Sequence, residues 1–472
     1  MEKLFKLKQN GTTVRTEMLA GVTTFFTMAY IIFVNPQILG DAGMNVGAVF
    51  VATCIVAALG TLLSGLLSNY PFAQAPGMGL NAFFAYTVCG VMGYSWKAAL
   101  AAVFISGIIF IAITATGLRQ MIVNAIPLTL KRAIAAGIGL FIALIGLSNA
   151  GLVKGYDAVT NEEGLFLFQS GTIVGLGNLS SPETLLAVFG LVMIIALLCM
   201  KVKGSLFLGI IATAAVGVLM QFGFNIEFAQ PLSAPGFTAS FGDSFKAFGD
   251  LIGQCFSGFG ELFSTEEGMG AMLVSVVTVM IVMFLTDMFD TVGTLVGCAE
   301  KGGFLDKNGN LPRAGKAMMA DALTTTTGAV LGTSTVTTYI ESTAGISEGG
   351  KTGLTSVFTS CLFALALIFA PVTGLIHASA TAPVLIIVGV MMMSSLKDIK
   401  WGEFEDALPC FVIMAMMAFT YSIAHGIGLG FIFYVLVKVF TGKTKDIHPV
   451  LWVFSLLFLL RYVLMAADVI PG

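Results

Sequence analysis

Residues 70–81 of the chain read Tyr-Pro-Phe-Ala-Gln-Ala-Pro-Gly-Met-Gly-Leu-Asn. Pro71, Pro76 and the glycines on either side of Met78 fit poorly inside a continuous helix, because proline removes a hydrogen-bond donor and glycine costs conformational entropy. A second stretch, residues 332–343 (GTSTVTTYIEST), is rich in β-branched residues, which favour extended backbone. Each stretch runs directly into helix-compatible sequence, so we predict two helices broken by short extended segments.

Long apolar runs surround both broken segments. Hydrophobic residues make up 57% of the 472 residues and charged residues 10%, whereas soluble domains carry about 25% charged residues. A hydrocarbon layer of about 30 Å needs about 20 apolar residues per helix, and the runs have that length without the alternation of a β-barrel. We therefore predict an all-α polytopic membrane protein that is surrounded by the lipid bilayer and has no nucleic-acid partner.

The apolar runs predict fourteen spans, with the two broken segments in the third and the tenth. Their approximate bounds are 18–38, 47–68, 74–90, 97–118, 131–149, 182–200, 204–222, 271–298, 315–332, 333–350, 353–375, 380–396, 405–423 and 426–441. A further apolar stretch at about 450–467 is either a fifteenth crossing or a helix at the membrane interface, and the sequence leaves both open.

The basic residues give this layout an orientation. With the polar residues 1–17 placed in the cytoplasm, 19 of the 23 basic residues lie on the inner side. They are Lys3, Lys6, Lys8, Arg15, Arg119, Lys131, Arg132, Lys201, Lys203, Lys301, Lys307, Arg313, Lys316, Lys351, Lys397, Lys400, Lys438, Lys443 and Lys445. Lys97, Lys154 and Lys246 lie on the outer side, and Arg461 lies in the tail stretch. Because cytoplasmic loops carry an excess of Lys and Arg, we predict a cell-membrane protein with its N-terminus inside.

Cysteine and histidine give no sign of a metal or redox centre in the sequence. The seven cysteines contain no CxxC pair, and the three histidines lack metal-ligand spacing. We expect packing roles for the cysteines, and we expect no metal and no cofactor.

The two broken segments occupy corresponding places in two halves of seven spans. Asn81 and Glu341 are 341 − 81 = 260 residues apart, and Thr27 and Asp287, in the first and eighth spans, have the same separation. An odd number of spans per half makes the two repeats inverted in the membrane. Inverted repeats place a binding site near the midplane between broken helices, and the two half-helices would point their free N–H groups at it.

Several carboxylates lie inside these spans, where a charge costs about 2.5–3.5 kcal/mol. Asp287 and Asp290 are in the eighth span, and Glu341 is in the tenth. The same runs contain no Lys, Arg or His that would neutralise them, so we expect these acids to face a cavity and to exchange protons. Asp287 and Glu341 are the candidate residues for binding the substrate and for carrying the proton.

The other polar residues in the spans have competing interpretations. Asp290 lies near the same face as Asp287, at i+3, and either contacts the ligand or bonds neighbouring backbone. Asp321 is interpreted as a structural residue that ties the ninth span to the broken segments. Glu348 lies near the inner end of its span, where solvation is easy. Asn81 either offers its amide donor and acceptor to the edge of a heterocycle or packs between helices.

Four stretches of the chain form a specific combination: residues 23–37 (TTFFTMAYIIFVNPQ), 74–81 (QAPGMGLN), 289–297 (FDTVGTLVG) and 333–352 (TSTVTTYIESTAGISEGGKT). Together they resemble the azaguanine-type purine permeases of the nucleobase–cation symporter-2 family, which includes xanthine/uracil permeases. The resemblance extends from about Thr13 to Lys445. It implies proton-coupled import of a purine base, with guanine or hypoxanthine favoured and adenine as an alternative. Position by position, it assigns substrate contacts to Asn81, Asp287 and Glu341.

The resemblance also implies a 7+7 inverted repeat that is divided into two domains. The core would contain residues 18–118 and 271–375, and the gate would contain residues 131–222 and 380–441. Residues 442–472 would form a tail with the extra apolar helix. In the family, the short strands meet at the substrate, and relatives suggest a homodimer through the gate domain.

A purine base presents ring N–H donors and N or O acceptors along one edge. A carboxylate accepts from N–H and a protonated carboxyl donates, while backbone N–H groups of the half-helices, near Gly79 and Thr338, would serve the acceptors of the base. Tyr30, Phe83 and Tyr339 are the aromatic candidates for stacking on the ring, and the sequence does not choose among them.

Three other functions fit parts of the pattern. An anion carrier of the same fold, for sulfate or bicarbonate, would place a basic residue or bare half-helix dipoles at the site, whereas this site is acidic. An intramembrane aspartyl protease needs two facing carboxylates, but Asp287 and Asp290 share one helix and no Ser–His or zinc constellation occurs in the sequence. We therefore expect no enzyme. A channel would lack the saturation and counterflow of a carrier.

Overall fold

The computed structural model describes residues 2–116, 125–155, 158–160, 166–168, 174–229, 232, 237–263, 269–306 and 311–467. Helices dominate these residues, and ten of the described helices are long and apolar enough to cross a membrane. The prediction of an all-helical, multi-span membrane protein is therefore confirmed. Arg119, Lys307 and the predicted end of the tail at 472 lie outside the described residues.

In the first half of the chain, a strand interrupts the series of helices after the second crossing. The helices are α1 (Glu2–Phe5), α2 (Val14–Met28), α3 (Ile31–Asp41), α4 (Val46–Ser68), α5 (Met78–Ala82) with a π-helical continuation (Phe83–Val91), α6 (Trp96–Thr116), α7 (Leu128–Asn149), α8 (Pro182–Cys199) and α9 (Ser205–Val218) with a π-helical end (Leu219–Gly223). The strands are β1 (Gln74–Pro76), before α5, and β2 (Val153–Gly155), β3 (Ala158–Thr160), β4 (Phe166–Phe168) and β5 (Val174–Leu176), between α7 and α8. β2 pairs with β5 and β3 with β4, both antiparallel.

The second half also contains one strand between helices. Its elements are α10 (Phe237–Leu251), α11 (Gln254–Leu262), α12 (Met269–Gly302), α13 (Ala314–Leu331), β6 (Val336–Thr338), α14 (Ser342–Ser347), α15 (Gly353–Leu365) with a 3₁₀ continuation (Ala366–Leu375), α16 (Ala378–Met392) with a 3₁₀ end (Met393–Asp398), α17 (Phe404–Phe419), α18 (Ile423–Phe440), a 3₁₀ turn (Thr444–Asp446) and α19 (Pro449–Ala466). Side-chain caps fix several helix starts: Thr13, Asn45, Ser181, Thr352 and Ser422 each accept a hydrogen bond from a backbone N–H of the first turn.

Nine of the fourteen predicted spans coincide with long apolar helices, and α19 is the tenth such helix among the described residues. The other five predicted spans correspond to shorter or more polar elements. These are the α5 segment, α13, the segment of β6 and α14, α16 and α17. The α5 segment (Met78–Val91) and α16 (Ala378–Met392) are apolar but shorter than a crossing helix. In the α5 segment, the strand β1 replaces part of the helix.

The two broken spans meet through their extended segments. β1 and β6 pair antiparallel, with Gln74 opposite Thr338 and Pro76 opposite Val336. All six strand residues are buried. The prediction of short extended segments in spans three and ten is thus confirmed, and the strand pair joins the two halves of the chain at the centre of the fold.

A threonine from the preceding helix satisfies the outer edge of each strand. Thr61 of α4 donates to the Gln74 carbonyl and accepts from the Gln74 N–H, both at 2.9 Å. Thr325 of α13 donates to the Val336 carbonyl at 3.2 Å and accepts from the Val336 N–H at 3.0 Å. Buried backbone groups need such partners, because an unsatisfied group costs about 1–3 kcal/mol. Each half therefore contains one threonine whose hydroxyl bonds both backbone groups of a strand residue.

The helices form two groups around this strand pair. The strand group contains α2–α6 and α12–α15, in which α4 packs on α15 and α6 packs on α13. The flanking group contains α7–α9 and α16–α18, in which α7 packs on α16 and α17. Where α4 and α15 cross, a Cβ atom on Gly353 would collide with the backbone of Gly65. Small residues thus let the helix backbones touch, as is common in membrane proteins.

The tail helix α19 runs antiparallel along α18. The rings of Phe431 and Phe454 are stacked with centroids 6.3 Å apart. Phe458 packs on Gly428 one turn further along, and Tyr462 Oη donates to the His425 carbonyl at 3.4 Å. α19 has 18 residues, which correspond to roughly 27 Å of helix. It therefore follows α18 over most of its length.

The ends of the crossing helices define two faces of the molecule. α2 begins and α4 ends on one face, which we call the basic face because it carries most Lys and Arg residues. α3 and α7 end on the other side, which we call the opposite face. An ion pair between Lys203 and Glu348 lies on the basic face.

Candidate functional site

A cavity of about 300 Å³ lies beside the strand pair, between the two helix groups. The strand group supplies its polar wall, which includes Tyr30, Asp290, Thr337, Thr338 and Glu341. The flanking group supplies an apolar wall, which includes Ala135, Val388, Met391 and Met392. Small-molecule sites are commonly mostly apolar pockets with a few placed polar groups, and this cavity has that character.

The two half-helices begin at the cavity. α5 starts at Met78, directly after β1, and both Met78 and Gly79 line the cavity. The first-turn N–H groups of a helix have no partner within the helix and favour acceptor atoms of a ligand. Gly79 also keeps the flanking group close, because a Cβ atom at this position would lie 2.6 Å from Cγ2 of Ile138 in α7. A side chain is therefore excluded where α5 meets α7.

Glu341 follows β6 and faces the cavity as the residue preceding α14. The hydroxyl of Tyr30 donates to Glu341 Oε1 at 2.6 Å. Tyr30 is itself almost fully buried, with 1% of its surface exposed. The sequence suggested Tyr30 as a stacking ring, whereas in the structure its hydroxyl holds the Glu341 carboxyl in place.

Two more predicted site residues, Thr338 and Tyr339, lie at the end of β6 and also line the cavity. Thr338 is the last residue of β6 and Tyr339 follows it. The Tyr339 N–H donates to the Ala73 carbonyl at 3.0 Å, which prolongs the strand pairing by one bond. Its hydroxyl donates to the Pro76 carbonyl at 2.6 Å. Tyr339 thus braces β1 from inside the cavity wall.

α12 presents Asp290 to the cavity, where sequence reasoning favoured Asp287. Asp290 lines the cavity and forms a hydrogen bond with Thr337 of β6. Asp287 is 1% exposed and is absent from the described lining residues. Positions i and i+3 of a helix differ by roughly 60° in direction and 4.5 Å in height. That difference decides which carboxyl lines the cavity, and the sequence pattern does not contain it.

Asn81 and Phe83 lie behind the cavity wall. Both side chains are fully buried, and neither is among the described lining residues. The Ser334 hydroxyl donates to Asn81 Oδ1. Asn81 therefore ties α5 to the segment before β6, which is the packing interpretation of this residue.

The two remaining acids are engaged away from the cavity. Asp321 is buried, and the hydroxyl of Thr291 donates to its Oδ2 at 3.0 Å. This bond joins α13 to α12, and the structural role of Asp321 toward the broken segments stays a prediction. Glu348 pairs with Lys203 on the basic face.

Sequence reasoning missed the threonines that hold the strands and the residues of the apolar wall. Thr61 lies in an apolar helix and Thr325 lies in a run of four threonines, Thr324–Thr327, and threonines in helices commonly bond their own helix backbone. Val388 and Met391 look like lipid-facing residues in the sequence. The 260-residue offset could have drawn attention to the threonines, because Thr61 and Thr325 lie 325 − 61 = 264 residues apart.

The arrangement suits recognition of a flat polar heterocycle. Carboxyl, hydroxyl and first-turn N–H groups converge from one side and fix hydrogen-bonding edges. Methionine and aliphatic side chains on the other side contact an apolar ring face. Among the described residues, no group of three or more His, Cys, Asp or Glu side chains is placed to hold a metal ion.

A cavity between two groups of membrane helices is typical of multi-pass transport proteins. The chain belongs to the permease family that comprises the xanthine/uracil permeases, whose sequence profile matches residues 15–429. A family of permeases has transport as its function, so the chain is a transporter and not an enzyme.

Relatives match over nearly the whole chain. A permease of Methanocaldococcus jannaschii is 46% identical over 99% of this chain and 99% of its own length. The adenine permease AdeQ of Escherichia coli K12 is 40% identical over 98% of this chain and 96% of its own. The guanine/hypoxanthine permease PbuG of Bacillus subtilis is 40% identical over 98% of this chain and 100% of its own.

Solved structures show the same fold at low sequence identity. The transmembrane domain of the cyanobacterial bicarbonate transporter BicA covers 87% of this chain and 97% of its own, with a TM-score of 0.60 and 14% identity. SLC26A9 covers 91% of this chain and 66% of its own, with a TM-score of 0.54 and 13% identity. These likenesses concern the architecture alone.

Proposed function

We propose that this protein is a symporter that imports purine nucleobases together with protons by alternating access. The relatives at 40% identity are adenine and guanine/hypoxanthine permeases. The single observation that carries the proposal is the cavity beside the strand pair, where Glu341, held by Tyr30, faces the start of α5. This geometry supports recognition of a base by hydrogen bonds along one edge.

Each polar group of the cavity has a role in this proposal. Glu341 and Asp290 accept from ring N–H groups or, when protonated, donate to ring nitrogen and carbonyl oxygen. The N–H groups at the start of α5, near Gly79, bond acceptors on the base. Thr338 adds a hydroxyl, and the ring face packs against Met391 and its neighbours.

Proton coupling is assigned to the carboxyl groups of the cavity. A charged carboxylate at this depth is costly, and protonation together with substrate binding removes the charge before the cavity closes. Glu341 is the principal proton site, with Asp290 beside it. Asp287, one helical turn away, keeps its predicted role only if its substitution stops coupled transport.

The two helix groups would be the moving parts. The strand group corresponds to the predicted core and the flanking group to the predicted gate, in two inverted repeats of seven spans. Two observations support this repeat. A threonine holds the strand in each half, and the packing of α4 on α15 corresponds to the packing of α13 on α6 when the two halves are exchanged. The basic face would lie in the cytoplasm of a cell-membrane protein. α19 would then be a fifteenth crossing, and a homodimer would form through the gate.

Guanine and hypoxanthine are the favoured substrates, with adenine as the alternative. These bases differ at C6 and at C2, so a competition panel of unlabelled bases against one radiolabelled purine distinguishes them. Uptake should saturate, show counterflow and collapse when a proton uncoupler is added. Saturable uptake that ignores the uncoupler but needs sodium would contradict proton coupling, and no purine uptake at all would contradict the substrate class.

An anion carrier of the same fold is the second candidate, favoured only by the likeness to BicA and SLC26A9. Two carboxyl groups in the cavity would repel an anion. Inhibition of purine uptake by bicarbonate or sulfate, at unchanged pH, would support that alternative.

A further inference from the structure

The exposed residues of the described cavity lining lie on one side of the strand pair. The lining residues Gly293, Ile340, Met391 and Ser394 are exposed, and they lie toward the basic face. A path to the opposite face would have to run between the π-helical continuation of α5 and the end of α7. In the described part of the chain, polar contacts between the two helix groups block this path.

The first contact is made by Tyr86. Its hydroxyl donates to Asp41 Oδ2 at 2.6 Å and accepts from Asn149 Nδ2 at 3.4 Å. Asp41 ends α3 in the strand group, and Asn149 ends α7 in the flanking group. One tyrosine hydroxyl can donate once and accept twice, so Tyr86 bonds both groups at the same time.

The second contact lies at the next residue and is more deeply buried. The Thr87 hydroxyl donates to the Tyr421 carbonyl at 3.0 Å, and Thr87 is 1% exposed. Tyr421 lies between α17 and α18, and its ring packs edge-on against Phe141 of α7, with centroids 5.8 Å apart. Two adjacent residues of the π-helical segment therefore bond the flanking group at two places, and such segments are frequent at functional sites.

We infer that Asp41, Tyr86, Thr87, Asn149 and Tyr421 form a clasp that seals the opposite face while the cavity is open to the basic face. The inference rests on the proposed function, because alternating access requires this seal to open in every cycle. The bonds of Tyr86 lie at a solvent-exposed rim. Their loss should shift the balance between the two open states by roughly tenfold, as for other hydrogen bonds with a charged partner.

Cross-linking tests whether the clasp must open. The double variant Tyr86→Cys with Asn149→Cys is treated with a reducible bifunctional thiol reagent, and each single variant treated in the same way corrects for the native cysteines. Purine uptake should fall at least tenfold in the cross-linked protein and return on reduction, which also shows that the protein is folded. Undiminished uptake after complete cross-linking would overturn the inference. Failure to cross-link would place the two positions apart and would overturn it as well.

Accessibility tests the clasp without using transport. Ile138 of α7 is 3% exposed and lies between the cavity and Asn149. A membrane-impermeant maleimide, applied to the opposite face, should label Ile138→Cys roughly tenfold faster when Tyr86→Phe is added. The matched control is Tyr462→Phe, which removes a tyrosine hydroxyl on the same face whose bond stays between α18 and α19. Equal labelling with and without Tyr86→Phe would overturn the inference.

The two tests separate this inference from the proposed function. If the protein transports no purine, the labelling of Ile138→Cys still reports whether Tyr86 holds the opposite face closed. If it transports purines and the cross-linked protein does so too, the function stands and the clasp does not.

Discussion

The two broken spans have the same backbone arrangement, but their side chains differ in chemistry. In each, a threonine of the preceding helix bonds both backbone groups of a strand residue, Thr61 for β1 and Thr325 for β6. After the strand, however, the first span continues with Gly77, Gly79 and the buried Asn81, whereas the second continues with Tyr339 and Glu341. The threonine support of the backbone occurs in both halves, whereas the side chains that follow the two strands differ.

This difference shows how a symmetric fold acquires an asymmetric site. The strand pair needs equal support from both halves, since either strand alone would leave its backbone groups unpaired at membrane depth. In the proposed function, the base bonds backbone N–H groups of the first broken span and the carboxyl group of the second. Substitutions that separate the shared part from the unshared part therefore test the comparison directly.

The largest effect is expected at Glu341, the acid that the first broken span lacks. Glu341→Gln keeps the shape and a hydrogen bond with Tyr30, but it loses the exchangeable proton. Uptake should fall by roughly 100-fold, as expected for the loss of bonds with a charged group. Glu348→Gln, seven residues further along the same segment, is the control and should retain most of the uptake. Equal losses in the two variants would remove the special role of Glu341.

The next effect compares two acids on one helix. Asp290→Asn should lower purine affinity by roughly tenfold, because Asp290 lines the cavity beside Glu341. Asp287→Asn should change affinity less, since its carboxyl lies behind the wall. Binding of a radiolabelled purine to purified protein measures both. If Asp287→Asn has the larger effect, the eighth-span assignment made from the sequence is the correct one.

These two acids show where sequence reasoning stops. Proline, glycine and β-branched residues predict the broken segments, because they are unusual inside a membrane helix. Acids in apolar runs indicate the site in the tenth span, because charged residues inside the membrane are costly. The choice between Asp287 and Asp290 depends on the rotation of α12, which neighbouring helices determine. The apolar wall at Val388 and Met391 is invisible in the sequence, because methionine and valine suit lipid and ligand equally well.

A smaller effect is expected from the shared threonines. Thr325→Val preserves the shape and leaves the N–H and carbonyl of Val336 without their hydroxyl partner. The free energy of unfolding should fall by about 1–3 kcal/mol, seen as a lower thermal midpoint in detergent. Thr61→Val should cost a similar amount at Gln74, and Thr→Ser at either position should restore stability. A large loss in one half with none in the other would show that the threonine support is not equivalent in the two repeats.

The smallest effect should come from Gly79, where the first broken span touches the flanking group. Gly79→Ala places a methyl group 2.6 Å from Cγ2 of Ile138. Because Ile138 is β-branched and stiff at χ1, it cannot turn away freely. α5 and α7 must separate slightly, so uptake should fall by roughly threefold. Adding Ile138→Ala removes the opposing methyl group and should recover the loss. A deficit that persists in the double variant would mean that the substrate itself needs the space at Gly79, and the contact with Ile138 would then not explain the loss.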